Sequence, residues 1–305
     1  MNSKIGIVIL NYNTASETIK CIESFVSLNE IANCRVYIVD NGSTDDSSVV
    51  LEKYCTGLNY QLIVSKTNLG FSGGNNLGIN KALKDGCDWV LLSNSDIIFK
   101  SELLNKFNNV FKENPNVCVV GPKIIDLNGN LVYRNQNEEI TINSILFHSR
   151  NQESKNAVIV NKAYDGMVAG CIFAIRSSFI REANCLDDNV FLYYEEDILL
   201  RQIRKYNKFS YICDNVEVVH IGQVSTQKNN SDKTCFFRFY AWPSSVYTLF
   251  AYSTTSTFKV DMLIIIYKIY WLLKSITQKQ YSLRCKDFFC AIDNAKQCAF
   301  RKKYH

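Results

Sequence analysis

Short runs of apolar residues alternate with segments of mixed polarity over the first 120 residues. Residues 5–10, 36–39 and 89–92 form continuous apolar runs, which is the pattern of strands buried on both faces of a parallel sheet. The segments between these runs have the spacing of amphipathic helices. This alternation predicts an α/β fold with a Rossmann-like, doubly wound and mostly parallel sheet flanked by helices.

Turn and capping residues divide this region into individual elements. Thr14 and Glu17 have the spacing of a helix-capping box, so a helix is expected from there through residue 25. Asn207 is expected to end a later helix in the left-handed conformation. The other expected helices cover residues 45–54, 75–84, 101–112 and 196–206, and the other expected strands cover residues 62–64, 117–120, 168–175, 209–212 and 217–220. Residues 126–165 are polar and weakly periodic, so loops are expected there.

Polar residues follow four of the expected strands at the point where each strand ends. Asn11 and Asn13 follow the first strand, Asp40 the second, residues 68–76 the third and Asp96 the fourth. The carboxyl ends of parallel strands meet at one edge of a sheet, and ligands of α/β proteins bind there. The sequence therefore predicts one ligand site built from all four clusters.

The 12 cysteines are scattered along the chain, and no C-x-x-C pair occurs. This spacing argues against a zinc ribbon or a thioredoxin-type site, and we expect the cysteines to be mostly small core residues in a reducing compartment. The apolar run at residues 5–10 is short and is followed directly by Asn11, so no signal peptide is expected. The expected localisation is cytoplasmic.

Positive charge is concentrated in the last quarter of the chain. Residues 233–305 contain 12 Lys/Arg and 3 Asp/Glu, a net charge of +9, whereas residues 1–232 contain 22 Lys/Arg and 26 Asp/Glu, a net charge of −4. The most apolar part of this tail, residues 262–273, is interrupted by Lys268 and is too short to span a membrane. An interfacial amphipathic helix on the inner leaflet of the cytoplasmic membrane is therefore expected, with packing on the rest of the protein as the alternative.

Two common nucleotide-binding motifs are missing from the sequence. No GxGxxG follows the first strand and no GxxxxGK[ST] occurs, which disfavours NAD-binding and P-loop proteins. Residues 4–225 instead resemble the family 2 glycosyltransferases, which have the GT-A fold, and in particular the rhamnosyltransferase-like and O-antigen glycosyltransferases of bacteria. The segments that carry the resemblance are 8–13 (VILNYN), 39–45 (VDNGSTD), 68–76 (NLGFSGGNN), 92–96 (LSNSD), 194–197 (YEED) and 219–220 (VH).

The resemblance implies where a nucleotide-sugar donor and a metal ion would bind. Asp40 would accept hydrogen bonds from a uracil or thymine ring or from a ribose hydroxyl. The other residues that the resemblance places at the donor are Asn11, Asn13, Asn68, Gly70, Gly73, Asn75 and Asn94. The segment 94–96 takes the place of the DxD motif with Asn instead of the first Asp, so Asp96 would be the main carboxylate ligand of Mg²⁺ or Mn²⁺, and His220 would complete the metal site.

The resemblance also implies a catalytic base among three consecutive acids, Glu195, Glu196 and Asp197. In an inverting transfer this base takes the proton of the acceptor hydroxyl. Counting back from Asn207, where relatives usually have Gly, selects Glu196, whereas a shift of one residue selects Asp197. The alternative to a catalytic role is that these acids only form the first turn of a helix, where the helix dipole favours negative charge.

These features together predict an inverting glycosyltransferase that moves a sugar from a UDP- or dTDP-sugar to a lipid-linked saccharide in surface polysaccharide biosynthesis. We expect a GT-A catalytic domain at 1–230, with the nucleotide-sugar side at 1–120 and the acceptor side at 121–230, and a basic helical extension at 231–305. Two alternatives stay open: a nucleotidyltransferase, and a non-catalytic sugar-binding or membrane-associated protein. Nucleic-acid binding is not expected, because aromatic and aliphatic residues outnumber the basic residues of the tail.

Overall fold

The computed structural model describes residues 3–28, 34–132, 161–222 and 233–304 of the 305-residue chain. Within these ranges the strands are β1 (Ile5–Asn11), β2 (Cys34–Asp40), β3 (Tyr60–Val64), β4 (Trp89–Asn94), β5 (Ile97–Phe99), β6 (Val117–Ile125), β7 (Ala163–Tyr164), β8 (Ile172–Arg176) and β9 (Phe209–His220). The helices are α1 (Ala15–Val26), α2 (Ser47–Cys55), α3 (Gly70–Lys84), α4 (Leu104–Glu113), α5 (Ser177–Ala183), α6 (Glu195–Lys205), α7 (Lys233–Tyr252), α8 (Thr257–Thr277), α9 (Lys279–Leu283) and α10 (Cys285–Tyr304).

The strands form one mixed sheet in the order β3-β2-β1-β4-β8-β6-β9-β5, and β7 pairs with β9. β1 is parallel to β2 and β4, and β3 is parallel to β2. β8 runs antiparallel to both of its neighbours, β4 and β6, whereas β6 and β9 are parallel. The predicted α/β class is confirmed. The antiparallel strands were not predicted, because an apolar run indicates the burial of a strand but not its direction.

The helices cover the sheet and build one hydrophobic core with it. α3 packs against β1 and β2, α1 against β1 and β5, and α4 against β6 and β9. The strand residues Val8, Ile38 and Leu91 are fully buried in this core. Burial on both faces explains why these strands are continuous apolar runs rather than alternating ones.

Several element boundaries differ from those expected from the sequence. The helix predicted at 75–84 begins at Gly70, so the Gly-rich stretch is helical and not a loop. The capping box is wrong: α1 does begin after Thr14, but the Thr14 side chain makes no capping hydrogen bond. The two strands predicted at 209–212 and 217–220 are one strand, β9, whose pairing with β6 shifts register after Pro122. Asn207 has the predicted left-handed conformation, with φ of 51°. The predicted loops at 126–165 lie largely outside the described residues.

The C-terminal helices α7 to α10 share a second hydrophobic cluster. Trp271 stacks on Phe288 with ring centroids 3.9 Å apart, and Trp242 stacks on Tyr267 at 4.1 Å. Ile198 of α6 belongs to the same cluster, so these helices pack against the part of the chain that carries the three acids. The helical C-terminal region is thus confirmed. Across the described ranges, no helix is both long enough and apolar enough to cross a membrane.

Candidate active site

Three of the predicted polar clusters meet at the same edge of the sheet. In the pairing of β1 with β2, Asn11 lies opposite Asp40, and in the pairing of β1 with β4, Leu10 lies opposite Asn94. Thr14 and Ser95 also join the two ends directly, with 2.9 Å between their hydroxyl oxygens. The predicted convergence of these strand ends is therefore confirmed.

Asp40 is buried at the end of β2 and is held by its neighbours. Asn11 Nδ2 donates to Asp40 Oδ1 at 2.8 Å, and the Ser43 hydroxyl donates to the same oxygen. Asn11 Oδ1 accepts hydrogen bonds from the hydroxyls of Thr14 and Thr18. Since both ends of the Asn11 amide bind protein groups, Asn11 serves to orient Asp40, and a direct contact with a donor stays a prediction.

Two other asparagines fix the loops around Asp40. Asn13 has a left-handed backbone with φ of 56°, and its Oδ1 accepts a hydrogen bond from the backbone N–H of Thr44 at 2.8 Å. Asn41, which the sequence did not single out, accepts from the N–H of Leu69 and donates to the carbonyl of Gly70 at 2.9 Å. Asn68 Oδ1 accepts from the Gly70 N–H. These amides hold the loop that precedes α3 against the end of β2.

The glycines of α3 are required by contacts within the protein. Gly70 has φ of +74°, and a Cβ there would lie 2.2 Å from the Phe191 carbonyl oxygen. A Cβ on Gly73 would lie 2.9 Å from the Cβ of Leu69. Asn75 is buried inside the helix and donates to the carbonyl of Phe71. A donor contact of Gly70, Gly73 or Asn75 stays a prediction.

Asp96 and His220 face each other where β9 pairs with β5. Asp96 Oδ2 lies 3.4 Å from His220 Nε2, whereas Asp96 Oδ1 is buried and finds no hydrogen-bond partner among the described residues. Asn94 is half-buried, and its backbone N–H donates to the carbonyl of Cys171. The structure thus brings together the two residues that were predicted as metal ligands.

This pair has the chemistry of a site for a divalent cation. Burial lowers the pKa of His220, but hydrogen bonds with Asp96 and Cys171 outweigh burial and raise the pKa to about 10. Since only a neutral imidazole can bind a metal, a cation at this pair would have to displace the proton of His220; the Asp96 carboxylate and the neutral imidazole nitrogen both suit Mn²⁺. No group of three or more His, Cys, Asp and Glu within the described ranges could hold a metal, so oxygens of the donor or of water would have to complete the coordination.

The three candidate acids at the start of α6 have different surroundings. Asp197 is buried in an ion pair with Arg201, with 2.5 Å between Oδ1 and Nε. Glu196 Oε1 accepts a hydrogen bond from the Gly170 N–H at 3.0 Å. Gly170 precedes Cys171, whose carbonyl accepts from the Asn94 N–H. Glu195 Oε1 is buried, and no described residue bonds to it. Burial, reinforced by the carboxylate of Glu196, raises the pKa of Glu195 to about 8.

These surroundings divide the roles among the acids. A carboxylate that is engaged by Arg201 is a poor proton acceptor, because the ion pair stabilises its ionised form. A Glu195 with a pKa of about 8 carries its proton at neutral pH. That leaves Glu196, whose Oε1 binds the Gly170 N–H and which the register counted from Asn207 also selects, as the candidate base. Its role as the base stays a prediction.

The segment before α6 is strained and is held by the C-terminal helices. Tyr193 and Tyr194 both have φ of 72°, a conformation that costs on the order of 1 kcal/mol or more for a residue with a side chain. The ring of Tyr193 packs on Phe237, and the Ser244 hydroxyl donates to the carbonyl of Leu192 at 2.9 Å. No pattern in the sequence indicated this support, because the contacts join residues about 50 positions apart.

Asp187 connects the same helices to the pocket beside the acids. This pocket is lined by Gly170, Asp187, Glu195 and Glu196, among others. Asp187 Oδ2 accepts hydrogen bonds from the hydroxyls of Tyr247 at 2.7 Å and Tyr252 at 2.5 Å. Burial would raise the pKa of Asp187, but these hydrogen bonds hold it below its ordinary value. The ionised carboxylate therefore ties α7 to the wall of the pocket.

The sequence profile of Glycosyl transferase family 2 matches residues 6–179, which is more than half of the chain. This match spans β1 to α5 and so includes Asp40 and Asp96. The chain therefore belongs to this family and is a glycosyltransferase.

Two relatives share similarity well beyond the matched domain. The low-salt glycan biosynthesis hexosyltransferase Agl10 of Haloferax volcanii is 26% identical over 246 residues, which cover 78% of this chain and 74% of the relative. The dTDP-rhamnosyl transferase RfbF of Shigella flexneri is 23% identical over 231 residues, which cover 74% of this chain and 72% of the relative.

Solved structures of GT-A glycosyltransferases show the same fold. TarS 1-349 of S. aureus in complex with UDP-GlcNAc has a TM-score of 0.54 and 15% identity, covering 99% of this chain and 93% of that one. The mannosyltransferase PcManGT from Pyrobaculum calidifontis in complex with GDP-Man and Mn²⁺ has a TM-score of 0.53 and 10% identity, covering 100% and 88%. The expected GT-A fold is therefore confirmed.

Proposed function

We propose that this glycosyltransferase inverts the anomeric centre as it transfers a hexosyl or deoxyhexosyl group from a UDP- or dTDP-sugar to a hydroxyl of a lipid-linked saccharide. The observation that carries the proposal is that Asp40 and the Asp96–His220 pair lie at one edge of the sheet in a family 2 chain. Glu196 is linked to this edge through Gly170, whose neighbour Cys171 binds the N–H of Asn94. Surface polysaccharide biosynthesis on the cytoplasmic face of the inner membrane is the setting that this acceptor implies.

Asp40 supports the choice of nucleotide. Its buried carboxylate is oriented by Asn11 and Ser43 and can accept a hydrogen bond from the ring N–H of uracil or thymine. The relative RfbF is named a dTDP-rhamnosyl transferase, and TarS was solved with UDP-GlcNAc. PcManGT was solved with GDP-Man, so the fold by itself does not select the nucleobase of the donor.

Glu196 supports the chemistry of transfer. As the acceptor oxygen bonds to the anomeric carbon, the bond from that carbon to the diphosphate oxygen breaks and the diphosphate leaves with the electron pair. The proton of the acceptor hydroxyl passes to a carboxylate oxygen of Glu196. Asp96 and His220 would hold Mg²⁺ or Mn²⁺, which when bound offsets the charge on the leaving diphosphate.

A donor screen tests the proposal. The purified protein is incubated with UDP-, dTDP- and GDP-sugars in turn and with detergent-extracted lipid-linked saccharides, and release of the nucleoside diphosphate is measured. We expect acceptor-dependent release of UDP or dTDP, and we expect Glu196→Gln to lower kcat by on the order of 10²-fold while donor binding is kept. Release of pyrophosphate from a nucleoside triphosphate would instead support a nucleotidyltransferase. Binding without turnover would support the non-catalytic alternative.

A further inference from the structure

One face of α8 exposes a continuous stripe of large apolar side chains. Its members, between 41% and 79% exposed, are Phe258, Met262, Ile265, Ile266, Ile269, Leu272, Leu273 and Ile276. Their spacing of one, three or four residues places all of them on one side of the helix. The opposite side is buried against the other C-terminal helices through Val260, Leu263, Ile264, Tyr267 and Trp271. The stripe is therefore a second apolar face, separate from the one that holds the fold together.

The stripe is long and contains no charged residue. It extends over about five helical turns, or roughly 27 Å at 1.5 Å per residue. Two of the charged residues of α8 are turned toward α10: Lys268 binds Asp293 at 2.7 Å, and Asp261 binds Lys296 at 2.5 Å. Soluble monomers rarely expose apolar patches of this kind, and such patches mark binding surfaces.

We propose that the apolar stripe of α8 is the surface by which this enzyme lies on an anionic lipid bilayer, with the helix parallel to the membrane plane. The inference deepens the proposed use of a lipid-linked acceptor and rests on that proposal for its biological purpose. Its physical basis is the stripe itself, which can insert into the interface at the depth of the headgroups and first methylenes.

The positive charge of the C-terminal helices favours an anionic bilayer, rather than a second copy of the chain, as the partner that covers the stripe. Residues 233–305 carry a net charge of +9, and two of their three acids, Asp261 and Asp293, are engaged in ion pairs within the protein. A symmetric dimer through the stripe would instead bring two such positively charged tails together. An anionic leaflet meets these cations with opposite charge, and each cation near its surface adds to binding.

Vesicle flotation tests the surface without requiring transfer activity. The full-length protein is mixed with vesicles of phosphatidylcholine, either alone or with phosphatidylglycerol, at low and high salt. We expect flotation with the anionic vesicles that weakens as salt rises. Ile269→Glu with Leu273→Glu should weaken binding more than about tenfold, because two inserted side chains are lost and two negative charges are added. The matched control, Val49→Glu with Leu58→Glu, also charges two exposed apolar positions and should float like the wild type.

Each outcome decides the proposal. A wild type that stays in the soluble fraction with anionic vesicles at low salt would overturn it. A dimer in sedimentation that Ile269→Glu with Leu273→Glu dissociates, without vesicle binding, would assign the stripe to a second copy. Circular dichroism checks the fold of each variant. If the double variant fails to fold, Ile276→Glu replaces it, since Ile276 is the most exposed residue of the stripe. Flotation without any transfer in the donor screen would leave this inference standing and refute the proposed function alone.

Discussion

The substitution Glu195→Gln separates the roles of the two neighbouring glutamates. Burial and the carboxylate of Glu196 raise the pKa of Glu195 to about 8, so Glu195 is mostly protonated at pH 7. Glutamine has the shape and polarity of this protonated acid. We therefore expect Glu195→Gln to keep most of the transfer rate at pH 7. The same substitution at the next residue, Glu196→Gln, should lower kcat by about 10²-fold.

The same substitution should change how stability depends on pH. The folded pKa lies above the value of about 4.3 in an unfolded chain, so the native state keeps a proton that the unfolded state releases. The stabilising contribution is complete below about pH 4 and is lost as the pH rises to about 8. The upper limit of this loss is about 1.4 kcal/mol per pH unit between those values. Because glutamine does not titrate, the stability of the variant relative to wild type should increase with pH over this range and then level off.

Urea titrations at several pH values between about 5 and 9 measure the difference in the free energy of unfolding between Glu195→Gln and the wild type. A pH–rate profile of nucleotide release measures the catalytic effect. Glu196→Gln is the comparison in the pH–rate profile. In the urea titrations it should itself reduce the pH dependence, because the Glu196 carboxylate contributes to the raised pKa of Glu195. The reasoning is refuted if Glu195→Gln abolishes turnover and the wild-type rate rises with an inflection near pH 8. That result would make Glu195 the base.

Two further substitutions test the metal and nucleotide sites. Asp96→Asn should abolish turnover and the response to added Mn²⁺, because Asp96 is the carboxylate of the candidate metal pair. EDTA should likewise inactivate the wild type, and full activity in excess EDTA would contradict metal dependence. Asp40→Ala should weaken binding of UDP or dTDP in calorimetry with the fold intact. Asn11→Ala should act in the same direction, because it removes the hydrogen bond, of about 1.5–3 kcal/mol, that orients the Asp40 carboxylate. Unchanged affinity of Asp40→Ala for both nucleotides would remove Asp40 from the site.

The strand ends were predictable because two simple signals coincide there. A continuous apolar run identifies a buried strand, and the polar residues that follow it mark the sheet edge, as for Asn11, Asp40 and Asp96. The start of α3 was not predictable in this way. Glycine has a low helix propensity, but Gly74 must be glycine because a Cβ there would lie 2.7 Å from Leu10 and 2.8 Å from Asn41. Tertiary packing therefore overrides the local preference.

The sequence left the choice among the three acids open by one residue. Glu195, Glu196 and Asp197 are consecutive and equally acidic, and a helix places consecutive residues about 100° apart. Only the packed structure shows that the third acid faces Arg201 and the second faces Gly170. Asn207 has the expected left-handed conformation, and the register counted from it selects Glu196. The role of Glu196 as the base stays a prediction.

The C-terminal helices contribute to the site itself as well as to the proposed membrane surface. Arg201, which binds Asp197, also donates to the carbonyl of Tyr252 at 2.9 Å, and Asp187 binds two tyrosine hydroxyls of α7. These contacts join the segment of the acids to α7, which packs against α8, the helix that carries the apolar stripe. Deleting the tail would therefore leave buried partners such as Asp187 without their hydrogen bonds, at a cost of about 1.5–3 kcal/mol for each bond to a charged group. Loss of activity in such a deletion would not distinguish a missing membrane contact from misplaced acids, which is why substitutions on the exposed face of α8 are the appropriate test.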